Sequence, residues 1–134
     1  MGGSMAKTIK ARTLSRVLGW NRTRATAEQA LADGSIDAIA TDALFREVDL
    51  VIIGLYPQAT VDWLLENMPK MKKDCVIVDM VGVKQFMVDH LEQAALDAGV
   101  HYVGGHPMAG REFSGLDYAL PTLFDGASMI FVPT

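Results

Sequence analysis

Apolar residues along this chain follow two rhythms. In the first they run almost unbroken: Val48 to Tyr56 reads VDLVIIGLY and Cys75 to Val81 reads CVIVDMV. Continuous runs of this kind are expected of strands covered on both faces. In the second they recur at helical spacing. Val61, Leu64, Leu65 and Met68 share one helical face, stopped by Pro69. Val83, Phe86, Met87, Leu91, Ala94 and Ala98 share another, closed by Gly99. Weaker signals fill the gaps. Ser15 to Trp20 (SRVLGW), the short HYV at 101–103 and Ser128 to Pro133 (SMIFVP) read as strands. Thr26 to Gly34 reads as a helix, with Thr26 and Gln29 at capping-box spacing and Gly34 at C′. Strand–helix alternation with short links predicts a doubly wound α/β fold around a mainly parallel sheet, with helices on both faces.

The two ends sit awkwardly in that scheme. The chain opens MGGSMAKTIKA, a Gly-Gly followed at once by a helix, where an α/β fold would place a strand first. It closes at Thr134, directly after a strand. Two readings stand at this point: a fragment at both ends, or an expression remnant MGGS with Met5 as the true start.

With 134 residues, half of them hydrophobic, the chain is long enough for one domain with a real core. A formal net charge of −4 argues against nonspecific nucleic-acid binding but leaves room for a small anionic ligand. The single cysteine, Cys75, cannot form an internal disulfide and reads as a small buried hydrophobe. No apolar run approaches the roughly 20 residues of a membrane span, and the start has no signal-peptide block, so a cytoplasmic protein with no membrane partner is expected. No spacing of His, Cys or carboxylates resembles a metal site, and neither a P-loop nor a nucleophile elbow is present.

Ligands of open α/β sheets bind beyond the carboxyl ends of the strands. After the first expected strand come Asn21, Arg22 and Thr23. An acid at this position selects NAD by accepting from the ribose 2′-hydroxyl. Asn removes that charge and Arg can pair with a 2′-phosphate; alternatively the segment only caps the next helix. After the apolar strand come Tyr56 and Pro57. Tyr56 can lie beside a cofactor ring or simply pack, while Gln58 or Thr60 can satisfy helix N–H groups. After the next strand come Val81, Gly82 and Lys84: Gly82 permits close backbone approach, and Lys84 meets an anion or is merely solvated. The last stretch, YVGGHPMAGREFSG from Tyr102, sets His106 in a Gly-rich loop, where an imidazole suits general acid–base work. His90 and His101 read as structural or exposed.

GGHPMAGREFSG closely resembles the signature loop of prephenate dehydrogenases, the oxidative enzymes of tyrosine synthesis. GGSMAK, LGWNRT, DLVIIGLYP, VIVDMVGVK and LFDGASMIFVPT resemble further family segments in order along the chain. The resemblance implies a Rossmann-type NAD(P)-binding domain over residues 1–134, with Gly2 as the third glycine of the dinucleotide fingerprint and Gly3 and Ser4 beside it. It implies a fragment lacking the first strand and a C-terminal helical domain that forms the homodimer, and therefore inactive alone. It also implies hydride transfer from prephenate or arogenate to NAD(P)+, with His106 taking the hydroxyl proton as carbon dioxide leaves. Cofactor contacts would come from Gly2, Gly3, Ser4, Asn21, Arg22, Thr23, Tyr56, Pro57, Val81 and Gly82. Substrate contacts would come from Gly82, Lys84, His106 and Arg111.

Two positions depart from the family pattern. Many members carry serine where Gly82 stands, and many carry an acid where Asn21 stands; the second favours NADP, with NAD possible. Two other readings remain open: a β-hydroxyacid dehydrogenase of the phosphogluconate type, which NRT also resembles, and a nucleotide-binding module without catalysis. A doubly wound sheet without its central strand exposes two edges, so the isolated chain is expected to be poorly soluble or oligomeric.

Overall fold

In the computed structural model, residues 2–107 and 129–133 are described. They fall into two units, residues 2–41 and residues 42–107 with 129–133. The architecture is α/β, with parallel pairing in both sheets and one antiparallel strand: the mainly parallel class the alternation predicts and the Rossmann-type class the resemblance implies.

The first unit contains α1 (Gly2–Arg12), β1 (Leu18–Gly19), α2 (Arg24–Ala32) and β2 (Ala38–Ile39). β1 and β2 pair in parallel, Leu18 with Ala38 and Gly19 with Ile39. Gly19 is small for a reason. A Cβ there would lie 2.7 Å from Cδ1 of Ile36, a buried residue that packs across it. Asp37 ties the unit together, accepting from Lys10 Nζ at 2.6 Å and from the Val17 N–H at 2.7 Å. α2 starts two residues earlier than its sequence suggests. Asn21 Oδ1 accepts from the Thr23 N–H at 2.9 Å, and the extended Thr23 then acts as N-cap, so Thr26 falls inside the first turn rather than capping it. Gly34, at φ +81°, takes the left-handed position its sequence context requires.

The second unit contains α3 (Asp42–Phe45), β3 (Leu50–Ile53), α4 (Pro57–Asn67) with a 3-10 turn over Met68–Lys70, β4 (Val76–Asp79), α5 (Lys84–Ala98), β5 (His101–Pro107) and β6 (Met129–Pro133). The sheet order is β3-β4-β5-β6, with only β6 antiparallel. Val61, Leu64 and Met68 from α4 and its turn, Met87 and Leu91 from α5, and Cys75 and Ile77 around β4 form the core. Phe45 meets Trp63 edge-on, ring centroids 5.6 Å apart. Burial raises the Cys75 thiol above its usual range, as a core role requires.

Three expectations change here. β3 spans only Leu50–Ile53 and ends the sheet order, so Leu50 is half-exposed rather than covered on both faces. Leu65 and Val83 are exposed, while Thr60, Trp63 and Asn67 take the buried face of α4. β5 continues through Gly104, Gly105 and His106 to Pro107, because β6 supplies a ladder from Val103↔Pro133 to Pro107↔Met129. His106 therefore belongs to a strand end, not to a loop.

Candidate active site

Register defines the site. Ile53, Asp79 and Gly104 are successive partners across β3, β4 and β5. With strands spaced about 4.8 Å apart, that row is about 10 Å wide. Past Ile53 the chain reaches Tyr56 and Pro57; past Asp79, Val81, Gly82 and Lys84; past Gly104, His106. Six of the thirteen sequence candidates thus share the carboxyl edge of three parallel strands, where α/β sheets bind ligands.

Tyr56 is 84% exposed, so it does not pack. It is the N-cap of α4, with Pro57 in the first turn and no side-chain cap. Neither expected capping group serves. Gln58 bonds Asp62 at 2.8 Å, and the Thr60 hydroxyl donates to the Leu55 carbonyl at 3.0 Å. An exposed ring beside uncapped helix amides can receive a flat, anionic ligand.

The turn from β4 to α5 is organised by a residue that sequence reasoning missed. Asp79 is fully buried. Its Oδ1 accepts from the Val81 N–H at 2.8 Å and from Lys84 Nζ, and its Oδ2 accepts from the Tyr102 hydroxyl. A buried carboxylate is tolerated only when paired and hydrogen-bonded, and this one is both. Lys84 is accordingly a mostly buried counter-ion rather than a solvated lysine. Burial, then the hydrogen bond to Asp79 and its charge, push the Tyr102 phenol far above its ordinary value, so it stays a neutral donor. Gly82 is exposed, between buried Val81 and the start of α5. The missed signal was an acid closing the apolar run VIVD, with a lysine five residues on.

The first unit carries its own candidates. Asn21, Arg22 and Thr23 form an exposed turn after β1. The side-chain oxygen of Asn21 accepts from the Thr23 N–H, and its amide NH₂ gives the turn a donor. Gly2, Gly3 and Ser4 open α1. Arg111 lies outside the described residues. Among the described residues no cluster of His, Cys, Asp and Glu could hold a metal, and no helix is long and apolar enough to cross a membrane. Within the second unit, uncapped helix amides beside an exposed aromatic fit the flat, anionic character of a nicotinamide dinucleotide; within the first, the polar turn with Arg22 offers donors of its own.

Comparison with known proteins points the same way. The family described as "Prephenate dehydrogenase, nucleotide-binding domain" matches residues 5–134. A prephenate dehydrogenase from Bacillus subtilis is 34% identical over 137 residues, covering 99% of this chain and 37% of that protein. The crystal structure of Aquifex aeolicus prephenate dehydrogenase, in complex with hydroxyphenyl propionate and NAD+, superposes with a TM-score of 0.87 at 28% identity, over 100% of this chain and 47% of that one. Synechocystis arogenate dehydrogenase gives a TM-score of 0.86 at 25% identity, over 99% and 46%. The chain thus spans between a third and half the length of these relatives.

Proposed function

The chain belongs to the prephenate dehydrogenase family, matching its nucleotide-binding domain, and from that premise we propose that it forms the dinucleotide-binding and catalytic part of an enzyme that oxidatively decarboxylates prephenate or arogenate. The observation that carries the reading is the alignment of Tyr56, Gly82 and His106 past one row of register partners, Ile53, Asp79 and Gly104.

In this reading NAD(P)+ supplies the two-electron acceptor, taking hydride from the ring carbon that bears the hydroxyl. His106 accepts the hydroxyl proton. As the carbonyl forms, the bond to the ring carboxylate breaks and carbon dioxide departs; its electron pair enters the ring, the oxygen takes a proton back, and the ring becomes a phenol. Aromatisation makes the step effectively irreversible. The protein's contribution is orientation and one positioned base. Pro57, Tyr56, Val81 and Gly82 would face the nicotinamide half of the cofactor, and Gly82 and Arg111 the substrate. Asn21, Arg22 and Thr23 would hold the adenosine end, with Gly2, Gly3 and Ser4 at the pyrophosphate. An amide donor beside a guanidinium favours a 2′-phosphate, so NADP is the proposed cofactor. A cytoplasmic homodimer is proposed with it.

The test uses the full-length protein with prephenate and with arogenate, each with NADP and with NAD. Reduced-nicotinamide absorbance and carbon dioxide release are followed together. Equal amounts of both products support the reaction; turnover of a β-hydroxyacid instead, or dinucleotide binding without turnover of any of these, rejects it.

A further inference from the structure

Asp79 joins four places at once. It closes β4, accepts from the Val81 N–H inside the turn, holds Lys84 at the first position of α5, and receives the Tyr102 hydroxyl from β5. The turn between, Met80–Val83, has Met80 and Val81 buried and Gly82 exposed at the carboxyl edge. Met80 is fixed as well, its N–H donating to the Ile53 carbonyl at 3.0 Å. Gly82 and Val83, the exposed half of this turn, thus lie between the Val81 N–H and Lys84, both held by one carboxylate.

Burying an ion pair is a poor way to gain stability, because well-packed apolar side chains of similar volume do at least as well. What an ion pair adds is a fixed orientation. We infer that Asp79, Tyr102 and Lys84 form a positioning cluster that holds the Met80–Val83 turn so that the backbone at Gly82 meets the ligands in one conformation. The inference rests on the reaction assigned above. Gly82 has no side chain to orient a ligand, so its backbone must do so, and backbone orients only as well as it is held. Tyr102 contributes a donor that stays uncharged, and Lys84 acts through Asp79 rather than on the substrate. These are positioning residues; none is assigned a contact with the reacting atoms.

The experiment compares the full-length protein with its Tyr102→Phe, Lys84→Arg and Lys84→Met variants. Amide hydrogen exchange is read peptide by peptide, alongside melting temperature, kcat and KM. Tyr102→Phe is expected to speed exchange over residues 80–84 by about tenfold, the size of one hydrogen bond to a charged group. Exchange elsewhere should change by less than about threefold. In the same variant kcat should fall by about tenfold with substrate KM nearly constant. Lys84→Arg should restore most of what Lys84→Met loses.

Exchange that is unchanged over 80–84, or that rises uniformly along the chain, overturns the cluster's positioning role. So does a Lys84→Met variant whose only defect is a raised substrate KM, since that makes Lys84 a ligand contact. The exchange arm does not depend on turnover. Local acceleration in a protein inactive on prephenate and arogenate keeps the cluster and discards the reaction.

Discussion

Tyr102 is the register partner of Ile77, yet its hydroxyl donates to Asp79, two residues nearer the carboxyl end of β4. The phenol leans along the strand, as side chains in sheets do, and carries a hydrogen bond from the core to the site edge. That diagonal lets an acid sit fully buried at the end of an otherwise apolar strand without facing water. It also makes a core residue answerable for the geometry of a turn, so substitutions at Tyr102 report on stability and site together.

The first prediction concerns alkaline stability. The folded-state pKa of Tyr102 is raised by burial and by Asp79, so its contribution is fully present below the unfolded value near 10. Above that pH the unfolded chain sheds the proton while the folded chain keeps it, and stability falls by up to about 1.4 kcal/mol per pH unit. Tyr102→Phe should lack that slope while being less stable at neutral pH by about 1.5–3 kcal/mol. Urea midpoints measured from pH 8 to 11 compare the two proteins; parallel curves would refute the assignment.

On the acid side the signs reverse. Lys10, followed by the Val17 N–H, holds the Asp37 carboxyl below its ordinary value, and the Ser35 hydroxyl does the same for Asp33. Depressed carboxyls contribute stability above their unfolded pKa of 3.8 and lose it as pH falls through the folded value. Asp37→Asn should therefore flatten the loss of melting temperature below pH 4 and lower the plateau above it. Both groups are exposed, so the effect should shrink in high salt.

Gly19→Ala tests the packing of the first unit. The new methyl would meet Ile36 at 2.7 Å and 2.9 Å, contacts that force the isoleucine to rotate. Overpacking of this kind costs about 1–3 kcal/mol. The double variant with Ile36→Val, which deletes the nearer atom, should recover part of the loss in thermal melts; strictly additive losses would mean that the two side chains do not collide.

The strands and helices that were legible in the sequence are those whose burial is decided by neighbouring residues. β4 and α5 read clearly because Val76, Ile77 and Val78 stand in an unbroken apolar run, and Met87 and Leu91 recur at helical spacing. β2 and α3 passed unread because two and four residues carry no periodicity. The length of β5 depends on a partner more than twenty residues away, and Gly104 and Gly105 look like loop until β6 pairs with them. The site was legible where glycine, proline and histidine stand out, at Gly82, Pro57 and His106. Asp79 and Tyr102 were not, because an acid and a phenol that satisfy each other inside a core leave no mark on local pattern. The family resemblance carried the rest.

The proposed preference for NADP rests on the turn after β1. Asn21 Oδ1 accepts from the Thr23 N–H, and the Asn21 amide NH₂ and the exposed Arg22 stand beside it as donors. Arg22→Ala should raise the KM for NADP by about tenfold or more, the loss of one charge-assisted contact, and leave NAD nearly unaffected. Adding Asn21→Asp should carry the preference over to NAD by repelling the phosphate and accepting from the 2′-hydroxyl. Steady-state kinetics with both cofactors decide it, and an Arg22→Ala protein with unchanged NADP kinetics rejects NADP selection by this turn.

The last prediction concerns the proposed base. His106 stands two residues past the register row, in a strand held on both sides by β4 and β6. A base mounted on a central strand is fixed in height relative to the turns on the neighbouring strands, which a loop would not guarantee. His106→Asn keeps a polar side chain of similar reach and removes the proton acceptor. In the full-length protein kcat should fall by about 10²–10⁴, with dinucleotide affinity by calorimetry unchanged within about threefold. A general-base limb is expected in the parent's pH profile of kcat/KM and should be absent from the variant's. Retained kcat would take the base away from His106, and a collapse of dinucleotide affinity at constant kcat would make it a cofactor contact instead.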